Sequence, residues 1–266
     1  MLISLILLVL LATGYILTRV GTHIIFRPKR KRWPLHLPFK PVHTEGLTGI
    51  YLPAKQGQYT LLFFHGRGGN VSHFENFAQT YAPHGYGILM FDYRGFGLSK
   101  GSPSQAHMQQ DALAAVQYAK HTLGIPPEHL IIYGHSLGNS AALFAARHAP
   151  CKALILQSPF LSTPDMAASW ALHAYAPHRW SYRVIRALVT PFLWRNRFEN
   201  THLTAGIELP VLLCMSKADK TLPWQQSAKL ADTIPHVQRF LSLAGEHEEF
   251  AWAAPAVLAF FCTPGK

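Results

Sequence analysis

The pentapeptide Gly134-His135-Ser136-Leu137-Gly138 constrains this chain more than any other stretch. It lies between an apolar run, Leu130–Tyr133, with the length and branched or aromatic content of a buried strand, and an alanine-rich stretch, Leu137–His148, that reads as a helix. In that context the G-x-S-x-G pattern puts a serine on a sharp strand-to-helix turn, with its hydroxyl projecting from the end of a sheet. Only small residues two places either side of the serine allow so close an approach of strand and helix, and Gly134 and Gly138 supply that room. The helix beginning after Ser136 also turns its free N–H groups and positive dipole end toward the space where an oxyanion would form. Ser136 is therefore the candidate nucleophile, with an ordinary tight turn as the alternative.

The chain has 266 residues, enough for one large α/β domain with a substantial core. Its net charge of +11 invites a nucleic-acid reading until the charge is located. Residues 1–32 hold Arg19, Arg27, Lys29, Arg30, Lys31 and Arg32 and no acid, so much of the excess belongs to a short N-terminal segment, and nucleic acid is not an expected partner. Cys151, Cys214 and Cys262 are far apart and form no C-x-x-C, which argues against a disulfide framework and for inert core thiols.

Met1–Leu17 carries no charge and reaches the lower limit of what spans a bilayer as a helix. No basic residue precedes it and no A-x-A-like site follows it, so a cleaved signal peptide fits less well than a transmembrane anchor over 1–18. The basic cluster that follows would stay in the cytoplasm by the positive-inside rule and could lie on anionic headgroups. These features predict a single-pass membrane protein with a cytoplasmic catalytic domain. Residues 19–44 form the basic juxtamembrane segment and a linker, in which Pro34, Pro38 and Pro41 favour an extended chain that sets the domain off the membrane.

Leu47–Leu52, Tyr59–Phe64, Gly87–Phe91, Lys152–Gln157, Pro210–Met215 and Val237–Leu243 read as further strands, separated by helical stretches. Alternation of this kind predicts an open, mostly parallel sheet covered on both faces, with functional groups at the carboxyl ends of strands. The strand ending at Phe64 runs into His65-Gly66-Arg67-Gly68-Gly69-Asn70. The dinucleotide pattern G-x-G-x-x-G fails here at Val71, and no phosphate-loop pattern occurs. Such a turn can instead aim backbone N–H groups at developing negative charge, the donors being the N–H of Arg67 and of Leu137; a purely structural turn is the alternative. Asp92 and Arg94 read as loop-pinning residues. From Leu161 to about Leu209 the strand rhythm lapses, and the Trp- and Arg-rich stretch is expected to form a lid over the site, with a helical cap packed on the core and a solvated basic side as the equal alternative.

Ser136, Asp219 and His247 all follow strands, in that order along the chain. The order, together with Phe64-His65-Gly66, the run Asp92-Tyr93-Arg94-Gly95-Phe96-Gly97-Leu98-Ser99 and Gly134-His135-Ser136-Leu137-Gly138-Asn139, resembles the α/β-hydrolase superfamily over about residues 45–262. The likeness is greatest to its small, membrane-tethered branch of esterases, lysophospholipases and acyl-protein thioesterases. It implies an α/β-hydrolase fold, a mostly parallel central sheet with helices on both faces and a short helical lid at about 161–209, within a hydrolase domain over 45–266. Two departures stand out: Arg67 where the branch commonly has Asn, which would change the polarity at the rim of the oxyanion turn, and the acidic pair Glu248 and Glu249 after His247.

The chemistry fits the resemblance. A serine hydroxyl is a poor nucleophile at neutral pH, so His247 would accept its proton and return it to the leaving group, while Asp219 fixes the imidazole tautomer. Asp232 is a rival acid, but within an expected helix; His135, beside Ser136 on so sharp a turn, should point away. His247-Glu248 lacks the second histidine of H-E-x-x-H because position 251 is Ala251, so neither a metal nor a cofactor is expected. The expected activity is hydrolysis of carboxylic esters or thioesters of a small-molecule or lipid-like acyl substrate. A hydrolase-fold binding protein that has lost catalysis, and a serine peptidase, are the alternatives.

Overall fold

A computed structural model of the protein describes residues 14–16 and 18–262. One sheet of eight strands dominates it: β1 (Lys40–Thr44), β2 (Leu47–Leu52), β3 (Thr60–Phe64), β4 (Gly87–Phe91), β5 (Leu130–His135), β6 (Ala153–Gln157), β7 (Val211–Ser216) and β8 (Val237–Ser242). Their spatial order is β1-β2-β4-β3-β5-β6-β7-β8. β1 and β2 run antiparallel at one edge, and β4, β3, β5, β6, β7 and β8 are mutually parallel.

β3, β4 and β5 are buried along their whole length, as unbroken apolar runs must be when helices cover both faces of a sheet. Successive side chains point to opposite faces. Leu62, Phe64 and Ile132 join the core beneath helices α3 (Gln105–Gln117), α4 (Gly138–His148), α5 (Thr163–Leu172) and α8 (Trp224–Ala231). Leu61, Phe63, Ile131 and Tyr133 join the opposite core, which α2 (Glu75–Tyr81) and α9 (Ala254–Cys262) close. The helical stretch after β3 begins as a 3-10 turn, Val71–Phe74, capped by Asn70, whose side chain accepts from the N–H of Ser72. α3 is α-helical only to Gln117 and is followed by a wider turn, Tyr118–Thr122. The lid region carries α5, α6 (Trp180–Val189) and α7 (Asn200–Thr204).

The expected anchor falls mostly on residues outside those described, and among the described residues no helix is long and apolar enough to cross a membrane. The described part of helix α1, residues 14–16 and 18–26, ends with Ile25 and Phe26 buried, and Phe26 packs edge-on against Phe96 and Phe198. The segment after it, expected as a linker holding the domain away, is laid along the domain instead. Asn70 donates to the carbonyls of Lys29 and Lys31, Arg32 pairs with the buried Asp92 at 2.6 Å, and Glu75 accepts from the N–H groups of His36 and Leu37. These are long-range partners that prolines and composition do not reveal.

Candidate active site

The carboxyl ends of β3, β5, β7 and β8 meet on one rim of the sheet. β5 ends at His135, and Ser136 follows with φ +52, in the left-handed region that a side chain disfavours. That conformation is held from several sides. The Ser136 N–H donates to Gln157 O at 3.0 Å, and the Asn139 side chain donates to both Ser136 O and Gln157 O at 2.8 Å. The two glycines are needed as the sequence suggests. A Cβ on Gly134 would sit 2.7 Å from the Asn139 Cα, and one on Gly138 would run into the Phe64 carbonyl at the end of β3.

His247 lies after β8, with its Nε2 2.8 Å from Ser136 Oγ and its Nδ1 2.7 Å from Asp219 Oδ2. The other oxygen of Asp219 accepts the N–H groups of Thr221 and Leu222 at 2.9 and 2.8 Å. Burial by itself would raise the Asp219 carboxyl, but the hydrogen bond and charge of His247 and the Leu222 N–H outweigh it and hold the group below its usual value. The carboxylate is therefore ionised at neutral pH and accepts from Nδ1–H, which leaves the Nε2 lone pair facing the serine hydroxyl. Asp232, the rival acid, pairs with Arg239 and Lys229 on the surface.

The loop bearing His247 is fixed through three successive carbonyls, each taken by a different element. His135 Nε2 donates to His247 O at 2.7 Å, Asn76 to Glu248 O at 3.0 Å, and Gln157 to Glu249 O at 2.7 Å. His135 thus points away from the serine hydroxyl, as its place on the turn requires, yet it holds the backbone of the candidate base. It is fully buried among Phe63, Phe74 and Phe250, and burial first, then the neighbouring His247, push its pKa down to about 3. The ring is neutral and donates through Nε2. Sequence reasoning missed this role, because the contact joins residues far apart in the chain and no spacing announces it.

The glycine turn after β3 packs directly on the elbow: a Cβ on Gly66 would lie 3.3 Å from Ser136 Cβ. His65, buried and with its pKa lowered chiefly by that burial, donates from Nδ1 to Gly66 O at 2.8 Å. Since the peptide is planar and trans, fixing that carbonyl also fixes the Arg67 N–H, which points the opposite way. In the turns and loops of the described residues no backbone carbonyl takes up the N–H of Arg67 or of Leu137. The seven residues singled out from sequence, Ser136, Asp219, His247, Arg67, Leu137, Gly134 and Gly138, are thus gathered at one rim. A cleft of about 250 Å³ opens there, walled by Phe74, Met166, Trp170 and Leu222 on its apolar side. Trp170 comes from α5, so the lid region borders the site, and its indole N–H donates to Thr221 O beside Asp219. Asp92 accepts from Val71 N and Arg32, and Arg94 pairs with Asp111, so both pin loops.

Residues 55–205 match the family model described as serine aminopeptidase, S33, a span that includes Ser136 and stops short of Asp219 and His247. An uncharacterized protein, YfhR, of Escherichia coli O157:H7 is 27% identical over 252 residues, covering 88% of this chain and 82% of that one. The lysophosphatidylserine lipase ABHD12 of Danio rerio is 34% identical over 184 residues, 65% of this chain and 46% of its own length. Among solved structures, the Pyrococcus furiosus esterase Pf2001 superposes with a TM-score of 0.66 at 19% identity, covering 88% of this chain and 95% of that one, a likeness of fold.

Proposed function

The chain belongs to the α/β-hydrolase superfamily, in the family described as serine aminopeptidase, S33, and from that premise we propose that it is a serine hydrolase cleaving carboxylic esters or thioesters of acyl, lipid-like substrates. The observation that carries the reading is His247 bridging Ser136 Oγ and Asp219 Oδ2 at 2.8 and 2.7 Å. As Ser136 Oγ attacks the carbonyl carbon, His247 Nε2 takes its proton, and the imidazolium is stabilised by ionised Asp219. The tetrahedral oxyanion is received by the N–H groups of Arg67 and Leu137. His247 then protonates the departing alkoxide or thiolate, leaving an acyl-enzyme on Ser136. A water molecule, deprotonated by the same imidazole, attacks the acyl carbon; carboxylic acid leaves, and the proton returns to Ser136.

The test is labelling by a fluorophosphonate together with turnover of p-nitrophenyl esters. Ser136→Ala is expected to abolish labelling and to lower kcat by on the order of 10⁶. Labelling that persists in the alanine variant refutes Ser136 as the nucleophile. Because the family description names a peptidase, a matched pair of acyl ester and acyl amide belongs in the same assay, and the ester is expected to be cleaved faster.

The reading includes a membrane anchor over residues 1–18 with the hydrolase domain on the cytoplasmic side. Its support is the uncharged run Met1–Leu17, the basic residues after it, and the exposure of Tyr15, Ile16, Val20 and Ile24 where that run enters α1. Arg30 and Arg32 are engaged inside the fold, by Ser99 O and Gly101 O and by Asp92, so the flank available to headgroups is smaller than the sequence count.

A further inference from the structure

Arg67, whose N–H is the candidate oxyanion donor beside β3, sits in a turn with little shape of its own. Gly66, Gly68 and Gly69 surround it, and Gly68 takes φ +79. Such a donor acts only within about 2.7–3.1 Å of the place where charge develops, so bonds from outside the turn have to hold it there. The peptide plane before Arg67 is held at the end of β3, by His65 through Gly66 O. The plane after it is held by a different segment, since the Gly68 N–H donates to Phe26 O at 3.0 Å at the end of α1. Both planes are rigid, so the two bonds together restrain φ and ψ of Arg67, and only the first comes from the sheet. The Phe26 carbonyl is itself secured. The chain after α1 runs along the turn as a strap, and the contacts follow in the same order on both segments. Ile24 O accepts from the Arg67 side chain at 3.1 Å, Phe26 O from Gly68 N, and Lys29 O and Lys31 O from the Asn70 side chain at 3.1 and 2.8 Å. The Phe26 ring seats the strap: it is fully buried, edge-on to Phe96 and Phe198, and the Gly97 N–H next to Phe96 donates to Lys29 O at 3.0 Å.

We propose that Phe26 and Asn70 are positioning residues for the oxyanion hole: they keep the Phe26 carbonyl on Gly68 and so aim the Arg67 N–H at the oxyanion formed when Ser136 attacks. The inference rests on the hydrolase reading above and adds that the segment joining the N-terminal apolar run to the domain is part of the catalytic apparatus. Stabilisation of the oxyanion then depends on the strap being seated. Proton transfer does not, because Ser136, Asp219 and His247 are held by β5, β6 and the loops after β7 and β8.

The test uses the full chain in non-ionic detergent and three variants. Phe26→Ala removes the ring that seats the strap, and Phe26→Leu restores most of its volume. Asn70→Ser keeps an oxygen that can cap the Ser72 N–H but loses the two donations to the strap. Three quantities are compared: kcat on a short-chain p-nitrophenyl ester, Ki of a trifluoromethyl ketone of the same acyl length, which becomes an oxyanion when Ser136 adds to it, and Ki of the matching secondary alcohol, which fills the cleft without forming one. In Phe26→Ala and Asn70→Ser, kcat is expected to fall by about 10 to 10², less than the cost of losing a donor outright, and the ketone Ki to rise by the same factor. The alcohol Ki should stay within about two-fold, and the pH dependence of kcat/KM, which reports the base and not the donor, should not move. Phe26→Leu is expected within about three-fold of the wild type. Variants that turn over like the wild type, or that weaken ketone and alcohol alike, overturn the proposal while the hydrolase reading stands. A wild type that neither cleaves the ester nor takes the fluorophosphonate overturns both. Asn70→Ser leaves the Phe26 packing in place, so it decides the matter if Phe26→Ala does not fold.

Discussion

The rim that carries the candidate triad and the expected lid region are held by opposite means. At the rim, Ser136, Asp219, His135 and His247 are tied by hydrogen bonds that run from strand to strand, and each backbone group that aims a side chain has its own partner. In the lid, α6 is attached from its inner side largely through one residue, Asp165 of α5, which accepts the Tyr182 hydroxyl at 3.1 Å and Arg186 Nε at 2.8 Å. Its outer side shows Trp180, Val184 and Leu188, spaced by four and all exposed, followed by exposed Phe192 and Trp194. An amphipathic helix on a globular domain ordinarily turns its apolar stripe to the core. Here Tyr182, Val189 and the Asp165–Arg186 pair face in, and a second apolar stripe faces out. The difference teaches that the site geometry is fixed by the sheet, while the lid region leaves an apolar stripe exposed.

The comparison breaks most sharply at Asp219. If the rim is a bonded array with one working imidazole tautomer, Asp219→Asn keeps the size of the side chain but offers His247 Nδ1 an amide, favouring the wrong tautomer. A loss of about 10⁴ in kcat with KM little changed is expected from single-turnover and steady-state kinetics. A loss of less than about ten-fold would mean that Asp219 merely braces the loop through Thr221 and Leu222.

His135 gives the next effect, and it is one a packing role would not reproduce. Its pKa lies near 3 in the folded protein against about 6.5 in the unfolded chain, so between those values the unfolded chain binds a proton that the fold excludes. The contribution of His135 to stability is whole above about pH 6.5 and is lost as pH falls toward 3. His135→Leu leaves the His247 carbonyl without its donor and is expected to lower kcat by about 10 to 10², whereas His135→Gln, which can still donate from a similar position, recovers most of it. Thermal melts at pH 5 and pH 8 should show a smaller acid penalty in both variants than in the wild type. Equal impairment of Gln and Leu, or an unchanged pH slope, would remove the positioning role.

These two residues also mark how far the sequence could be read. Asp219 follows an apolar run and precedes a helix, and Ser136 stands on a turn whose geometry is local, so strand rhythm and spacing sufficed to find them. His135 was legible only as a neighbour of Ser136. Its work is done on a carbonyl beyond three later strands of the chain, and nothing in composition or period encodes that distance. The strap at 27–39 is the same lesson in a different segment. Its prolines speak for an extended chain, while Asn70, Asp92 and Glu75, which hold that chain against the domain, are scattered over the next sixty residues. For α6 the sequence showed only a Trp- and Arg-rich stretch and not which side would face the domain, since that depends on Asp165 reaching Tyr182 and Arg186.

The smallest expected effect belongs to the lid, and it sharpens the contrast because it should separate surface from chemistry. If the outward stripe of α6 lies on lipid, beside the exposed Val20 and Ile24 of α1, then Trp180→Ser/Leu188→Ser removes two large apolar side chains from the bilayer interface. Burial of each contributes about 1.5 kcal/mol, so the partition of a soluble fragment beginning after the apolar run into anionic vesicles should fall by roughly ten-fold or more. Turnover of vesicle-borne ester should fall several-fold with it, while kcat on a monomeric short-chain ester changes by less than about two-fold, since neither residue lines the cleft. Co-sedimentation and stopped-flow assays on the same preparations read both quantities. A variant that sediments like the wild type would assign the stripe to a partner other than lipid, and a matching loss on the short-chain ester would mean that α6 shapes the cleft through Asp165 and Trp170 rather than lying apart from it.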